Sequence, residues 1–267
     1  FRSNGITAQA SLRDIDSLYG FNRAVRVFDP GLPVPWDLPN VPPEHQKGKL
    51  LRDRSILIWS FQPPPREVNS GQHDAYLREW FRTAPDHQTV FWSYIHEPED
   101  NIAAGEFTAA EYRQAWKRIV GLANEACKPN LFATLIMMGW TTKAASGDDY
   151  RKYDAGPEYI KVIAWDPYNG AADPDRSYYA TAEQIFGSVV ATMQADGRPW
   201  GIAETGSRLV PGDDGTARAA WVTSVGNYLT SHGAMFVTYY SSARGIHFKM
   251  DDDPYSAIAW RAFVERY

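Results

Sequence analysis

Short apolar runs and longer stretches with apolar residues at every third or fourth position alternate along the chain, the two periodicities of buried strand and amphipathic helix. Residues 11–19 carry Leu12, Ile15 and Leu18 on one helical stripe, and Gly20 follows as a C-terminal stop. Ala24-Val-Arg-Val-Phe28 then alternates and halts at Asp29-Pro-Gly, a strand running into a turn. Further strands are predicted at 55–60, 89–95, 131–137, 159–165, 200–203 and 234–240, with helices near 72–83, 109–126, 182–194, 216–231 and 255–265 between or after them. Thr108, with Glu111 three residues on, has the spacing of a helix N-cap and its capping box. The proline-rich stretch 30–43 reads as a long surface loop that carries Trp36 into one wall of a cleft.

Seven strands follow the first helix, and the chain starts where an eighth, preceding that helix, should end. Strand and helix units that alternate throughout, with continuous apolar strands, predict an α/β fold of the closed parallel kind: a (β/α)8 TIM barrel whose first strand lies at or before the N-terminus. The 267 residues fit a single barrel domain, for which about 250 is usual. No glycine-rich phosphate fingerprint follows any strand, which argues against an open nucleotide-binding sheet.

Composition narrows the partners. Hydrophobic residues make up 44% and charged residues 22%, a globular balance. The net charge of −5 supplies no basic stripe for a nucleic acid, and no apolar stretch reaches the length of a membrane span. Cys127 is alone, which excludes an intrachain disulfide, and its place at a helix end reads as structural. His45, His73, His87, His232 and His247 lack metal-ligand spacing, and Asp251-Asp-Asp253 lacks the spaced oxygens of a calcium loop and reads as a solvated turn, so neither a metal nor another cofactor is expected. Starting at Phe-Arg-Ser without Met, the chain is expected to be a mature or trimmed product, secreted or held at the cell surface, and monomeric. The 10 Trp and 15 Tyr exceed ordinary core needs; they belong either to a sugar-binding cleft or to the packing of a large barrel.

Two carboxylates stand out. Glu97 closes the apolar run from Thr89 to Ile95, and Glu204 closes Trp200-Gly-Ile-Ala203. A strand that ends in an ionisable group holds it at the mouth of a rigid scaffold, and a closed barrel brings both strand ends to one face, where paired carboxylates cleave glycosidic bonds. The competing view is that each is paired with an arginine for stability. Trp140 and Trp165 follow strands on the same face, either to stack on sugar rings or to pack the core or rim. Arg26 and Asp29 either bind substrate hydroxyls or pair with each other, and Glu99 and Asp100 either add acidity or a distal subsite beside Glu97 or belong to a solvated loop.

The runs Tyr94-Ile-His-Glu-Pro-Glu-Asp100, Ala164-Trp-Asp-Pro-Tyr-Asn169 and Gly201-Ile-Ala-Glu-Thr-Gly-Ser207 resemble, in order and over almost the whole chain, the retaining barrel glycosidases with an acid/base glutamate after strand four and a nucleophilic glutamate after strand seven. The His96-Glu97 pair is similar to glycoside hydrolase family 26, the β-mannanases and related endo-glycanases, and closest to an actinobacterial group like that family. Pro98-Glu99 departs from the mannanases' usual Met-Asn. The resemblance implies that Glu204 is the nucleophile and Glu97 the acid/base, that Tyr168 orients the nucleophile, that His96 contacts the nucleophile or a sugar hydroxyl, and that Tyr240 is an aromatic sugar platform. The expectation is therefore a retaining, endo-acting hydrolase of a polysaccharide: a β-mannan, a related β-glycan or an actinobacterial cell-wall glycan. The alternative is a carbohydrate-binding barrel without catalysis.

Overall fold

A computed structural model describes residues 8–37, 46–170, 175–242 and 248–266. Helix α1 (Ala8–Tyr19) leads to β1 (Ala24–Phe28), α2 (Lys47–Leu50) and β2 (Ile56–Phe61); α3 (Pro65–Ser70) and α4 (Asp74–Thr83) precede β3 (Thr89–Tyr94). Next come α5 (Pro98–Ala103), α6 (Ala109–Glu125), β4 (Leu131–Met137), β5 (Val162–Trp165), α7 (Ala182–Asp196), β6 (Trp200–Ile202), α8 (Thr216–Ser231) and α9 (Pro254–Arg266). The six strands form one parallel sheet in chain order. The expected last strand runs beside β6 without being a full one. Met235 N–H donates to Trp200 O at 2.9 Å, Ile202 N–H to Phe236 O at 2.9 Å, Thr238 N–H to Ile202 O at 3.0 Å and Tyr240 N–H to Thr205 O at 2.8 Å. Only Ile202 and Val237 form a bridge there.

Local chemistry accounts for the elements. Thr108 accepts from Glu111 N–H, and the Glu111 carboxylate returns the bond to Thr108 N–H, so the capping box of α6 is complete. β5 starts later than the pattern predicts because the N–H groups of Tyr159 and Ile160 both donate to Gly156 O, turning the chain before Val162. The short helices α3 and α5 were not expected. Each opens on a proline, Pro65 and Pro98, whose fixed φ and missing N–H suit a first helical position.

The pleat sorts the side chains into two layers. Ile58, Phe91, Ile136, Val162, Ala164, Ala203 and Phe236 pack on the inner face, while the alternate residues, including Trp59, Trp92, Leu135, Ile163 and Ile202, pack outward among the helices. The sheet curls: the rings of Phe91 on β3 and Phe236 beyond β6 meet with centroids 4.7 Å apart. Trp36 belongs to the outer layer, 6% exposed, stacked on Trp80 at 4.8 Å and edge-on to Trp59, so it is core and not a cleft wall. Residues 38–45 and 247, and with them His45, His247 and the second half of the proline-rich loop, lie outside the described residues. Cys127 is exposed at a left-handed φ of 52°, its thiol donating to Asn124 O at 3.6 Å, and is not part of the buried core. Asp253 is not solvated: 6% exposed, it caps α9 through the N–H groups of Tyr255 and Ser256 and accepts from the fully buried Arg218 at 2.9 Å from Nε. Among the described residues no helix is long and apolar enough to cross a membrane.

Gly201 sits mid-strand where a Cβ would lie 2.7 Å from the Phe236 ring, so the inner layer closes only over a hydrogen. Gly201→Ala is expected to lower the unfolding free energy by about 1–3 kcal/mol, the cost of overpacking. Chemical denaturation of the two proteins measures the difference.

Candidate active site

The C-terminal ends of the strands are polar where their beginnings are apolar. Arg26, Ser60, Ser93 and Asp166 are all buried there, on the inward pleat of β1, β2 and β3 and one residue beyond β5. Above them Glu97 and Glu204 enter one cavity of about 520 Å³, together with His96, Arg26, Phe28 and Tyr240. Two carboxylates more than 100 positions apart in the chain thus share a single chamber.

Glu97 is held by a strained turn. Ile95 and Glu97 have φ of 42° and 51°, a region that costs a non-glycine residue about 1–3 kcal/mol and is least tolerant of a branched side chain such as isoleucine. The surroundings enforce it: Ile95 N–H donates to Phe61 O and Glu97 N–H to Ile136 O, both at 2.9 Å, and the buried Tyr112 hydroxyl donates to Ile95 O at 2.9 Å. The chain then enters α5, and Glu99 turns inward, 6% exposed, accepting Met138 N–H at 2.8 Å.

Glu204 is 9% exposed and, among the described residues, is met by two side chains. The Tyr168 hydroxyl donates to Oε2 at 2.6 Å, and Arg26 Nη2 lies 3.5 Å from Oε1. Arg26 is itself fixed by a 2.7 Å bond from Nη1 to Ser60 Oγ and lies 4.1 Å over the Phe28 ring, which meets His96 edge-on. Asn169 ties the Tyr168 loop to the Glu204 loop: its N–H donates to Gly206 O at 2.9 Å, its Nδ2 to Ser207 Oγ at 2.9 Å, and its Oδ1 accepts Ala180 N–H at 3.1 Å. From the other side, Gly139 lets the turn after β4 approach Pro167, where a Cβ would stand 2.6 Å from the proline's own.

Burial and like charge set the protonation states. Desolvation first, then the Glu204 and Glu99 carboxylates, push Glu97 up to about 8. Burial also raises Glu99, to about 7, against the hydrogen bond from Met138 N–H. Burial and the neighbouring Glu204 and Asp166 carboxyls hold the Tyr168 phenol well above its ordinary range, which keeps its proton on the bond to Glu204.

Of the residues singled out from sequence, Glu97, Glu204, His96, Arg26 and Tyr240 line the chamber, and Tyr168 stands behind Glu204, edge-on to Tyr240 at 6.4 Å. Trp165 does not join them. It ends β5 on the outward pleat, fully buried against Tyr150, and is core. Trp140 is 50% exposed on the turn after β4, outside the chamber lining, and Glu99 is buried behind Glu97 and offers no surface to a ligand. Arg26 and Asp29 do not pair: Asp29 accepts Trp59 Nε1 at 2.7 Å and Val34 N–H at 3.0 Å and bonds Lys47. Sequence reasoning missed Phe28, Tyr112 and Asp166. Asp166 carried the same signal as the two glutamates, an acid closing an apolar strand. Among the described residues no cluster of three or more His, Cys, Asp or Glu side chains is set to hold a metal ion.

No family model and no curated protein matches the sequence. Among solved structures the chain is similar to an exo-β-1,4-mannosidase from Opitutaceae bacterium strain TAV5, at TM-score 0.64 and 15% identity over 99% of this chain and 57% of that one. It is similar to a family 26 β-mannanase from Bacteroides ovatus, at 0.60 and 12% over 94% and 81%. A family 128 endo-β-1,3-glucanase from Amycolatopsis mediterranei follows at 0.56 and 14% over 98% and 96%. The chain therefore spans less than two thirds of the mannosidase's length. At such identities the likeness is one of fold, a fold these three glycoside hydrolases share with the chain.

The raised Glu97 has a consequence for stability. The folded protein keeps this proton up to about pH 8, whereas the unfolded chain releases it near the ordinary value of 4.5. Between those limits the unfolded state binds fewer protons, so this group makes stability fall as pH rises. Glu97→Gln removes the effect, and its stability relative to the parent, measured by urea unfolding, is expected to increase steadily from pH 5 to pH 8.

Proposed function

We propose that the chain is a retaining glycoside hydrolase of the family 26 type, acting within a β-linked polysaccharide, with the parallel sheet as the greater part of an eight-stranded barrel. One observation carries this reading: a carboxyl kept protonated by burial, Glu97, shares a chamber with a second, Glu204, that is held by a tyrosine hydroxyl and faced by an arginine. Two carboxyls with divergent environments are what acid and nucleophile require. The similar structures are a mannosidase, a mannanase and a glucanase, which favours β-mannan or β-glucan as the substrate class.

In the first step Glu97 gives its proton to the glycosidic oxygen as the bond from that oxygen to the anomeric carbon breaks, and a Glu204 oxygen forms the new bond to the same carbon. Glu97, now a carboxylate, then takes a proton from water, whose oxygen displaces Glu204. Tyr168 and Arg26 hold Glu204 in line, and Tyr240 supplies a ring for the sugar bound there. His96, edge-on to Phe28, borders the same sugar. A binding barrel without catalysis has no need of a neutral acid opposite a tethered carboxylate.

Activity is expected on one of a panel of mannans, xylans, β-glucans, arabinans and galactans, with mixed oligosaccharides appearing early and the anomer of the product, read by proton NMR, the same as that of the bond cleaved. Glu97→Gln and Glu204→Gln should each lower kcat/KM by about 10²–10⁴-fold or more while the circular dichroism spectrum is unchanged. Full activity in either variant, or an inverted product, rejects the assignment. The alkaline limb of kcat/KM is expected near pH 8, where Glu97 loses the proton it must donate. Tyr168→Phe should reduce kcat by about 10–100-fold with little change in KM, because its bond orients Glu204 and does not touch the sugar.

A further inference from the structure

Asp166 lies one residue beyond β5, on the inward side shared by Val162 and Ala164. Its N–H donates to Met137 O at 3.0 Å, its side chain is 5% exposed, and neither carboxyl oxygen has a hydrogen-bond partner among the described residues. It faces Glu204 from the end of β6, Glu97 from the end of β3, Glu99 from α5 and Arg26 from β1, and the Tyr168 phenol stands two residues away. Three carboxyls and one guanidinium thus act on it electrostatically. An anion at this position would be buried without a single donor and beside other acids, a condition that proteins avoid by keeping the group protonated. Burial and the two glutamates do hold it well above the ordinary carboxylate range.

We propose that Asp166 is a positioning residue that works as a neutral acid, filling the floor beneath Glu97 and Glu204 so that the two share one negative charge, balanced by Arg26. The proposal rests on the hydrolytic reading above. Before the first step the charge is on Glu204. After it Glu204 is an ester and the charge is on Glu97, and Arg26 faces both carboxyls throughout. A neutral Asp166 leaves the buried charge matched in both states, whereas an ionised one would add an unbalanced anion and hold Glu97 protonated when it must act as a base. Asparagine, of the same shape and no charge, should therefore replace it.

Two measurements test this. In the wild-type protein labelled with carboxyl-¹³C aspartate, infrared spectroscopy at pH 7 should show a protonated aspartic acid band that shifts with the label, which separates it from Glu97 and Glu99; absence of that band overturns the proposal. In Asp166→Asn, the alkaline limb of kcat/KM should stay within about half a pH unit of the parent's, since no charge beside Glu97 has been lost. A shift of half a unit or more toward lower pH overturns the proposal, because it means that Asp166 carried a negative charge. The infrared result needs neither the variant nor catalysis, so it decides the state of Asp166 even where the hydrolytic reading fails.

Discussion

Everything at the mouth of this sheet follows from confining four carboxyl side chains, those of Glu97, Glu99, Asp166 and Glu204, in a space faced by the Arg26 guanidinium. Water is largely excluded from three of them, which are 5–9% exposed. Carboxyls so crowded cannot all be ionised. The sheet therefore sorts its acids by environment: one is tethered by a phenol and faced by the cation, one is half-open to the chamber, and two are sealed beneath or behind. Chemical role is decided by which neighbours each strand end supplies.

Such an arrangement costs stability, and the architecture offsets it elsewhere. Left-handed backbone at Ile95 and Glu97 persists because β2, β4 and the Tyr112 hydroxyl each hold one point of the turn. The outer layer is dense with rings, Trp59, Trp80, Trp92 and Trp116 among them, all buried between sheet and helices. Much of the aromatic content that looks like sugar-binding equipment in the sequence is in this layer.

What the sequence discloses and what it hides divide along physical lines. Periodicity reads packing, so the strands, the long helices α6, α7 and α8 and the capping box at Thr108 are legible from it. The acids at strand ends are legible because burial beside an ionisable group is improbable without a purpose. Face is harder to read. Trp165 and Asp166 are adjacent, and only the phase of the pleat sends the first outward to Tyr150 and the second to the inner side shared by Val162 and Ala164. Nor does composition reveal that Asp29 answers Trp59 and Val34 rather than Arg26, since those partners come from a neighbouring strand and its own loop. Short helices that open on proline, and the close approach of Gly139 to Pro167, depend on neighbours that a linear pattern does not contain.

The clasp made by Asn169 separates two jobs that loops usually share. With its backbone on Gly206, its amide on Ser207 and its Oδ1 on Ala180 N–H, Asn169 binds the segments carrying Tyr168 and Glu204 to each other at their bases. Insertions or deletions further out can reshape the walls that recognise a polymer without loosening the phenol from its carboxylate. Evolutionary drift in what is bound is thereby insulated from the machinery beneath.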